Sequence, residues 1–277
     1  MQEYEFQKRD INDVLDVVME HAGMLSSPLD SFMEENILDN ETYAICDGGM
    51  CVGYAGVQRK NLFSFYVKKE YYHDAPSILD AFVRQFAIEG AHVLTHDSLF
   101  AGLLMEWDYE VVEKDACFFS DAGRQGRPDV KAADLLFREV AMDELEKINL
   151  LTDDFFGEHL DEMIAKHTIF VLEDGGDALG YGVVEEGRLC PGCVSIGMIT
   201  RREHRRKGVA QRILWHLKEW AYVRGLRPVA GCWYYNVLSR KSLEAAGMIA
   251  TGKKFTVRLL EKKVLPLRTG NPPGELV

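Results

Sequence analysis

A short basic segment of this chain places a glycine and six cations at the predicted start of a helix. Residues 199–214 read ITRREHRRKGVAQRIL, and between Arg201 and Arg212 the six lysines and arginines face a single acid, Glu203, in a chain of net charge −12. Unpaired N–H groups at a helix N-terminus, together with the positive end of the helix dipole, favour a bound anion. The segment therefore predicts a polyanion-binding loop, and the alternative is a solvated basic helix entrance.

The cysteines offer a second place for chemistry. All six lie in mostly apolar, strand-like segments, which predicts reduced thiols and not a disulfide framework. Cys190-Pro191-Gly192-Cys193 has the spacing of a redox pair or of half a zinc site. No second such pair and no histidine pair at ligand spacing accompanies it, and Pro-Gly is itself a turn signal. We therefore predict a plain hairpin turn here and no metal site.

Length and composition limit the classes of protein that fit. The 277 residues, 47% of them hydrophobic and 27% charged, suit one large globular domain or two of ordinary size. The net charge of −12 argues against nucleic acid or anionic membranes as partners and fits weakly with cationic substrates. The first ten residues lack an apolar signal region, and no apolar run approaches the ~18 residues of a membrane span. We expect a cytoplasmic protein.

An internal repeat indicates two copies of one unit. Residues 47–57 (DGGMCVGYAGV) and 174–184 (DGGDALGYGVV) agree at six of eleven positions, and both combine a Gly-Gly turn with alternating small and apolar residues. A weaker repeat follows in the same order, in which each copy has a helix with an apolar stripe and a glycine stop. Its members are Ile78, Leu79, Phe82 and Gly90 in the first copy and Ile213, Leu214, Leu217 and Gly225 in the second.

The second copy predicts a definite order of elements. We expect helices at 142–149, 153–166, 210–224 and 238–246, and strands at 168–173, 179–185, 193–200, 228–234 and 255–260. The first copy follows the same order from Tyr4 to Phe119. The segment 121–131, DAGRQGRPDVK, has the composition of a linker. The predicted domains are 1–122 and 131–265, followed by a loose tail, 266–277.

Over residues 131–262, the second copy resembles the GCN5-related N-acetyltransferase (GNAT) family. Arg205, Gly208 and Ala210 fill the family's Arg/Gln-x-x-Gly-x-Gly/Ala signature at a strand-to-helix turn. A second motif, Asn-x-x-Ala/Ser followed by Gly and an aromatic residue, is matched with methionine in place of the aromatic. Its members are Asn236, Ser239, Gly247 and Met248. The resemblance implies an α/β (α+β) fold of two tandem GNAT-like units, each with a mixed, mostly antiparallel central sheet flanked by helices.

The resemblance also implies acetyl-CoA as acyl donor. The N–H groups from Arg206 to Ala210 would cradle the pyrophosphate, and an N–H of Met198 or Ile199 would stabilise the oxyanion. The expected acyl-CoA contacts are Met198, Ile199, Thr200, Arg205, Arg206, Lys207, Gly208, Val209, Ala210, Asn236 and Ser239. In the first copy the corresponding helix entrance, residues 73–76 (HDAP), has a carboxylate and no glycine, which predicts a degenerate copy.

The general base is less clearly indicated. An alkyl amine is mostly protonated at pH 7, so a group must accept its proton. Many relatives place a glutamate on the strand before the loop, where this chain has Ser195 and Gly197. Glu185, with Glu186 beside it, is therefore the candidate base, directly or through water. The alternative for both glutamates is a solvated hairpin end.

The sequence also leaves open which residue is the general acid. Many relatives place a tyrosine seven residues after the motif asparagine, where this chain has Leu243. Tyr234 or Tyr235 would then protonate the thiolate, or the thiolate leaves without a protein acid. Strand alternation predicts these two side chains on opposite faces, so at most one is well placed, and packing is the alternative for each. Trp233 is expected in the core.

Three functions fit these patterns. The first is an acetyltransferase that moves an acetyl group from acetyl-CoA to a small or peptide primary amine, with a single site in the C-terminal copy. The second is a non-catalytic acyl-CoA-binding sensor, which the missing glutamate and tyrosine favour slightly. The third is a relative of the aminoacyl-tRNA-dependent transferases, which share the duplicated fold. These usually lack the glycine loop, and an acidic chain suits tRNA poorly.

Overall fold

The computed structural model describes residues 4–123, 135–153 and 155–260. The predicted tail and most of the predicted linker lie outside these residues. The described strands are β1 Glu5–Arg9, β2 Glu41–Asp47, β3 Met50–Gln58, β4 Asn61–Val67, β5 Gly90–Leu94, β6 Tyr109–Asp121, β7 Leu135–Glu139, β8 Ile169–Asp174, β9 Asp177–Glu186, β10 Cys193–Thr200, β11 Arg227–Trp233 and β12 Met248–Leu259. The described α-helices are α1 Leu15–Met24, α2 Ser31–Leu38, α3 Ala75–Gln85, α4 Ser98–Leu104, α5 Leu145–Thr152, α6 Leu160–Ala165, α7 Val209–Val223 and α8 Val237–Ala245.

The repeated Gly-Gly segments form matching hairpins. Gly48 and Gly49 have φ of 54° and 85°, and Gly175 and Gly176 have φ of 55° and 87°. Two successive positive φ values are those of a type I′ turn, which glycine adopts without a steric penalty and which matches the twist of paired strands. The turns join β2 to β3 and β8 to β9, as the repeat predicts.

Strands and helices follow the predicted order, with three differences in the second copy. A strand that was not predicted, β7, precedes the first helix and pairs with β8. The expected helix at 153–166 is interrupted, because Asp153 adopts a left-handed φ of 54° and α6 begins only at Leu160. The last strand begins at Met248 instead of 255. It is longer than its hydrophobic pattern suggests because it pairs with a strand on each side.

The last strand of each copy completes the sheet of the other copy. The order is β1-β2-β3-β4-β5-β12-β6-β11-β10-β9-β8-β7 within a single twelve-stranded sheet. β12 pairs with β5, β6 pairs with β11, and β6 and β12 pair with each other at the centre, all antiparallel. Neither copy therefore has a complete sheet of its own. We refer to the N-terminal unit (up to β6) and the C-terminal unit (from β7) by sequence.

Helices cover both faces of the sheet. In the C-terminal unit, α7 and α8 pack on one face, where Ile213, Leu214 and Leu217 are fully buried. α5 and α6 pack on the opposite face. In the N-terminal unit, α3 and α4 share one core cluster, and α1 and α2 share another that also includes Val229 of β11. The α1–α2 layer thus reaches across the centre of the sheet onto the C-terminal unit.

The Cys-x-x-Cys segment is a turn, as expected. The N–H of Cys193 donates to the carbonyl of Cys190 at 3.0 Å, and Gly192 has φ of 80°, the arrangement of a type II turn with proline at its second position. All six cysteines are free thiols. Among the residues that the structure describes, no cluster of His, Cys, Asp or Glu is arranged to hold a metal ion.

Candidate functional site

The basic loop forms a concavity of backbone amides at the start of α7. Arg206 and Gly208 have positive φ values of 61° and 78°, a backbone pattern in which neighbouring N–H groups converge on an anion. The first amide that bonds back within the helix is that of Arg212, to the Gly208 carbonyl at 3.2 Å. The amides of Val209 and Ala210 therefore have no acceptor within the helix. The space above Gly208 is open, since an added Cβ would meet no atom within 4 Å.

Two of the six cations of the basic segment, Arg201 and Arg202, are paired with nearby acids. Arg201 and His204 both contact Asp177, at 2.6 and 3.2 Å, and Arg202 contacts Asp153 at 2.9 Å. These contacts hold the loop against β9 and the end of α5, so the two arginines are not free for a ligand.

Three other cations of the segment have no acidic partner among the described residues. Arg205, Arg206 and Lys207 are exposed, and within the described part of the chain no carboxylate lies within ion-pair distance of them. The Arg205 Nε donates to the Thr200 carbonyl at 3.2 Å, which ties this side chain to the end of β10. Three unpaired cations beside unpaired amides are an arrangement that suits a polyanion.

Next to this loop, β10 and β11 separate. The two parallel strands pair only from Cys193↔Arg227 to Ser195↔Val229. Residues Met198–Thr200 remain paired with β9 on their other side, so their edge toward β11 is open. Parallel strands end at the same edge of the sheet, so this open slot lies below the basic loop. The separation predicted for residues 198–200 is present.

The pairing register shows which amides face the slot. The Arg201 N–H donates to the Leu179 carbonyl at 3.1 Å, so Arg201 bonds toward β9. Because backbone groups alternate along a strand, Ile199 also bonds toward β9, opposite Tyr181. The N–H of Met198 then points into the slot. Of the two expected oxyanion donors, the geometry favours Met198.

The start of α8 follows the slot on the β11 side. The Asn236 side chain accepts from the Ser239 N–H at 3.1 Å and so caps the helix, which leaves its amide nitrogen as a donor. Asn236 is exposed and Ser239 is partly exposed. Both predicted contacts therefore lie together near the end of β11, where an acyl-CoA arm could reach them.

The aromatic residues at the end of β11 differ from expectation. β11 ends at Trp233, so strand alternation does not continue through Tyr234 and Tyr235, whose rings meet edge to face with centroids 5.1 Å apart. The expectation of opposite faces is wrong for this reason. Trp233 is 59% exposed and not in the core, because it lies at the open end of the strand. Tyr235 is 55% exposed, whereas Tyr234 is partly buried among apolar residues beside α7.

Leu243 faces the core. It stands where the resemblance expects a tyrosine, is 2% exposed, and packs in the α7–α8 cluster. A hydroxyl at this position would be directed into apolar surroundings. A general acid, if the protein supplies one, must come from elsewhere on the slot, and Tyr234 and Tyr235 are the tyrosines next to it.

On the sheet face opposite α7, the start of α2 rests on β9 and β10. The N–H of Ser31 donates to the Ser195 Oγ at 2.6 Å, and the Ser31 hydroxyl donates to the Glu185 carboxylate. Glu185 is exposed and is the cross-strand neighbour of Ser195. The predicted base is therefore on the correct sheet but already holds a hydroxyl of the N-terminal unit.

A carboxylate that the sequence did not suggest lies over the slot. Asp30 caps α2 by accepting the Met33 N–H at 2.9 Å, and it is 7% exposed. Its other oxygen fills the space that a side chain on Gly231 of β11 would require. Burial, reinforced by the charges of Glu34 and Glu185, raises the pKa of Asp30 to about 6. Within the described residues, no cation lies within ion-pair distance of it.

Contacts on both sides hold the segment before α2 in place. Leu29 is buried to 1% exposure in the α1–α2 core, and Ser27 and Thr251 share a hydroxyl hydrogen bond of 2.7 Å above the central strands. Farther along α2, the buried Glu34 carboxylate accepts the N–H of Cys190 at 2.9 Å. The position of Asp30 is thus fixed by both units.

The corresponding region of the N-terminal unit is closed. β4 and β5 also separate after two paired positions, but Asp74 precedes α3 there, and it accepts a hydrogen bond from Tyr4 at 2.6 Å. Asp97, which caps α4 as Asn236 caps α8, is 4% exposed and contacts the buried His21 at 2.9 Å. The N-terminal unit thus has aspartates at the two helix starts where the C-terminal unit has Gly208 and Asn236.

Comparison with solved structures relates the whole arrangement to known folds. An acetyltransferase of the GNAT family from Colwellia psychrerythraea superimposes with a TM-score of 0.78 at 15% identity, covering 93% of this chain and 100% of that one. A tandem GNAT protein from the clavulanic acid biosynthesis pathway gives 0.56 at 11% identity, covering 92% and 98%. A GCN5-related N-acetyltransferase from Sphaerobacter thermophilus gives 0.54 at 14%, covering 92% and 95%. At these identities the likeness concerns the fold.

Family comparison addresses each unit separately. Residues 10–122 match the family described as "Acetyltransferase (GNAT) domain", and residues 137–248 match the one described as "Acetyltransferase (GNAT) family". No curated protein sequence matches the chain significantly. Among the helices that the structure describes, none has the length and apolar composition of a membrane-spanning segment. The chain belongs to the GCN5-related N-acetyltransferase superfamily and carries two GNAT domains in tandem.

Proposed function

We propose that this protein transfers an acetyl group from acetyl-CoA to a primary amine by direct attack, at a single site in the C-terminal unit. The observation that carries the proposal is the slot between β10 and β11, which lies directly below three unpaired cations and the amides that begin α7. When bound, acetyl-CoA supplies a thioester already activated for acyl transfer. The alternating amide and cation donors suit a diphosphate, and the open strand edge suits an amide-containing arm.

Each residue of the site has a task under this proposal. The amides from Arg206 to Ala210 hold the diphosphate, and Arg205, Arg206 and Lys207 add charge-assisted hydrogen bonds. The edge of β10 from Met198 to Thr200 aligns the arm, and the Met198 N–H stabilises the negative charge that develops on the carbonyl oxygen. Asn236 and Ser239 hold the arm from the other side.

The departing sulfur lies near the start of α8. The positive end of that helix favours a thiolate there, and Tyr235, the more exposed of the two tyrosines, is the better placed proton donor. The other tyrosine, Tyr234, has cation–π contacts with Lys114 and Arg240, whose cationic groups are 5.4 and 5.7 Å from its ring centroid. Exposed Glu185 adds negative charge where a cationic amine would enter.

A single site per chain is supported by the contrast between the two units. Asp74 at the start of α3 and the buried pair of Asp97 and His21 replace the glycine loop and the open asparagine. Calorimetry should therefore give one acetyl-CoA per chain, and Asp74→Gly should leave that number unchanged. Two bound molecules in either protein would contradict the single site.

Release of CoA thiol from acetyl-CoA, screened against polyamines, aminoglycosides, simple alkyl amines and N-terminal peptides, tests the activity itself. We expect release that depends on one class of amine and a stoichiometric N-acetyl product by mass spectrometry. A cytoplasmic location is part of the proposal.

The buried Leu243 favours one other function, a non-catalytic acyl-CoA sensor. Such a protein would bind acetyl-CoA with the same stoichiometry and release no thiol with any amine. The thiol screen therefore separates the two functions, because both require binding and only one requires turnover.

A further inference from the structure

We infer that Asp30 of the N-terminal unit accepts the proton that the attacking amine loses in the site of the C-terminal unit. The inference rests on the proposed function and names a catalytic residue for it. It gives the N-terminal unit, whose own slot is closed, a part in the reaction. The base would then come from a segment that the sequence places in the other GNAT domain.

Asp30 lies at the level of the slot where each of the two strands, β10 and β11, has a glycine. If the parallel register of Ser195 and Val229 continued, Gly197 would lie beside Gly231. Neither residue has a side chain. The Val183 side chain of β9 takes the space over Gly197, with its Cγ1 2.8 Å from where a Cβ would lie, whereas the space over Gly231 admits a group from another segment. The Asp30 carboxylate occupies the space over Gly231.

The same level of the slot holds the oxyanion donor. Met198, whose N–H points into the slot, directly follows Gly197 on β10. A carbonyl carbon beside the Met198 amide would therefore have Asp30 on the face of the sheet opposite α7, and an amine that attacks from that face would meet its carboxylate. A base and an oxyanion donor that flank one reacting atom are the arrangement that acyl transfer to an amine requires.

The surroundings of Asp30 suit a base that works near neutral pH. Glu34 on its own helix and Glu185 on β9 repel its negative charge, whereas the Cys232 thiol of β11 packs on the other face of the sheet, beside α7 and α8. The pKa of about 6 leaves the carboxylate ionised at pH 7 but more basic than an exposed aspartate. Glu185 is exposed and already accepts the Ser31 hydroxyl, so it is the weaker candidate.

Proton transfer to Asp30 accompanies attack of the amine. The lone pair of the amine nitrogen forms the N–C bond to the acetyl carbonyl carbon, and a nitrogen proton passes to the free Asp30 oxygen. The C–S bond breaks with its electron pair on sulfur, and the thiolate takes a proton from Tyr235 or water. An amine that arrives as ammonium releases one further proton to solvent for each acetyl group transferred.

Asp30→Asn is the decisive variant, because asparagine is as good a helix cap as aspartate and keeps the shape of the side chain. We expect kcat at pH 7 to fall about 100-fold, the lower range for loss of a general base, while the Kd for acetyl-CoA changes less than about twofold. In the wild type, log kcat should rise with pH around 6, and this rise should be absent in the variant. Asp30→Ser, which also caps the helix, should behave alike.

Glu35→Gln is the matched control, since it removes a negative charge from an exposed position on the same helix. Asp30 variants that are folded by circular dichroism and within about threefold of wild-type kcat would overturn the inference, as would a 100-fold loss in Glu185→Gln instead. Either result leaves the acetyltransferase function intact. A wild-type protein that binds acetyl-CoA and releases no thiol with any amine would overturn that function and this inference together.

Discussion

The carboxylate of Asp30 occupies the space that a side chain on Gly231 would fill. Asp30 precedes α2 in the N-terminal unit, and Gly231 lies on β11 of the C-terminal unit, at the open side of the slot between β10 and β11. Glycine at 231 thus admits a carboxylate from the other unit at the edge of the slot. The site is a joint product of both units.

This relationship predicts a coupling between the two positions. Gly231→Ala should destabilise the protein by about 1–3 kcal/mol, the usual cost of overpacking, because its methyl group collides with the Asp30 carboxylate. In an Asp30→Ser background the same substitution should cost less, since serine is shorter. A double-mutant cycle of thermal or denaturant unfolding measures the difference. Equal costs in both backgrounds would show that the two residues do not touch.

The buried carboxylate also predicts an unusual pH dependence of stability. The folded-state pKa of Asp30 is raised from 3.8 to about 6, so the folded protein binds this proton more tightly than the unfolded chain. Its contribution to stability is present below pH 3.8 and is lost as pH rises through 6. At pH 8, Asp30→Asn should therefore be more stable than the wild type by up to about 3 kcal/mol, and the gain should shrink at pH 4. Urea unfolding at both pH values measures it, and Glu35→Gln should show no such trend.

The open space above Gly208 predicts how charge there affects binding. Gly208→Glu should abolish acetyl-CoA binding, because it places a carboxylate among the amides that would hold the diphosphate. Gly208→Gln has the same length and the same backbone strain at a φ of 78°, so it should keep measurable affinity. Calorimetry on the pair isolates the effect of charge. Undiminished affinity in the glutamate variant would remove the phosphate-loop argument.

The division of the basic segment predicts unequal roles for its arginines. Arg205→Ala should raise the Kd for acetyl-CoA about tenfold, the effect of losing one charge-assisted hydrogen bond of about 1.5 kcal/mol, and the loss should decrease at high salt. Arg202→Ala should have little effect, because Arg202 is paired with Asp153. Calorimetry at two salt concentrations tests both. Equal losses in the two variants would mean that the ion pairs do not determine which cations bind.

The exchanged strands predict that the units do not fold separately. A fragment of residues 1–123 lacks β12 and leaves the edges of β5 and β6 without that partner. Expressed alone, it should aggregate or show no cooperative unfolding, whereas co-expression with residues 124–277 should give a complex that purifies as one species. A monomeric 1–123 fragment with a sharp thermal transition would contradict this.

Local patterns predicted much of the fold, because they depend on residues that are neighbours in the chain. The Gly-Gly segments predict hairpins since glycine alone takes two positive φ values at no cost, and Ile213, Leu214 and Leu217 predict α7 because their spacing forms one apolar stripe. The basic loop is also local, since its glycine, its amides and its cations are adjacent in sequence. The sequence of Asp30, Ser31 and Glu34 signals only a helix start.

Tertiary structure decided which residues from distant segments of the chain lie together. The Asp30 carboxylate meets Gly231 only because the α1–α2 layer crosses onto the C-terminal unit, and the pattern around either residue carries no sign of the other. Trp233 is exposed because β11 and β10 separate before reaching it, although its apolar ring suggests a core position. The amino-acid sequence by itself therefore determined the two GNAT units and the basic loop that begins α7. Strand exchange and the packing of one unit on the other decided which side chains surround the slot between β10 and β11, because these contacts join residues that no local periodicity relates.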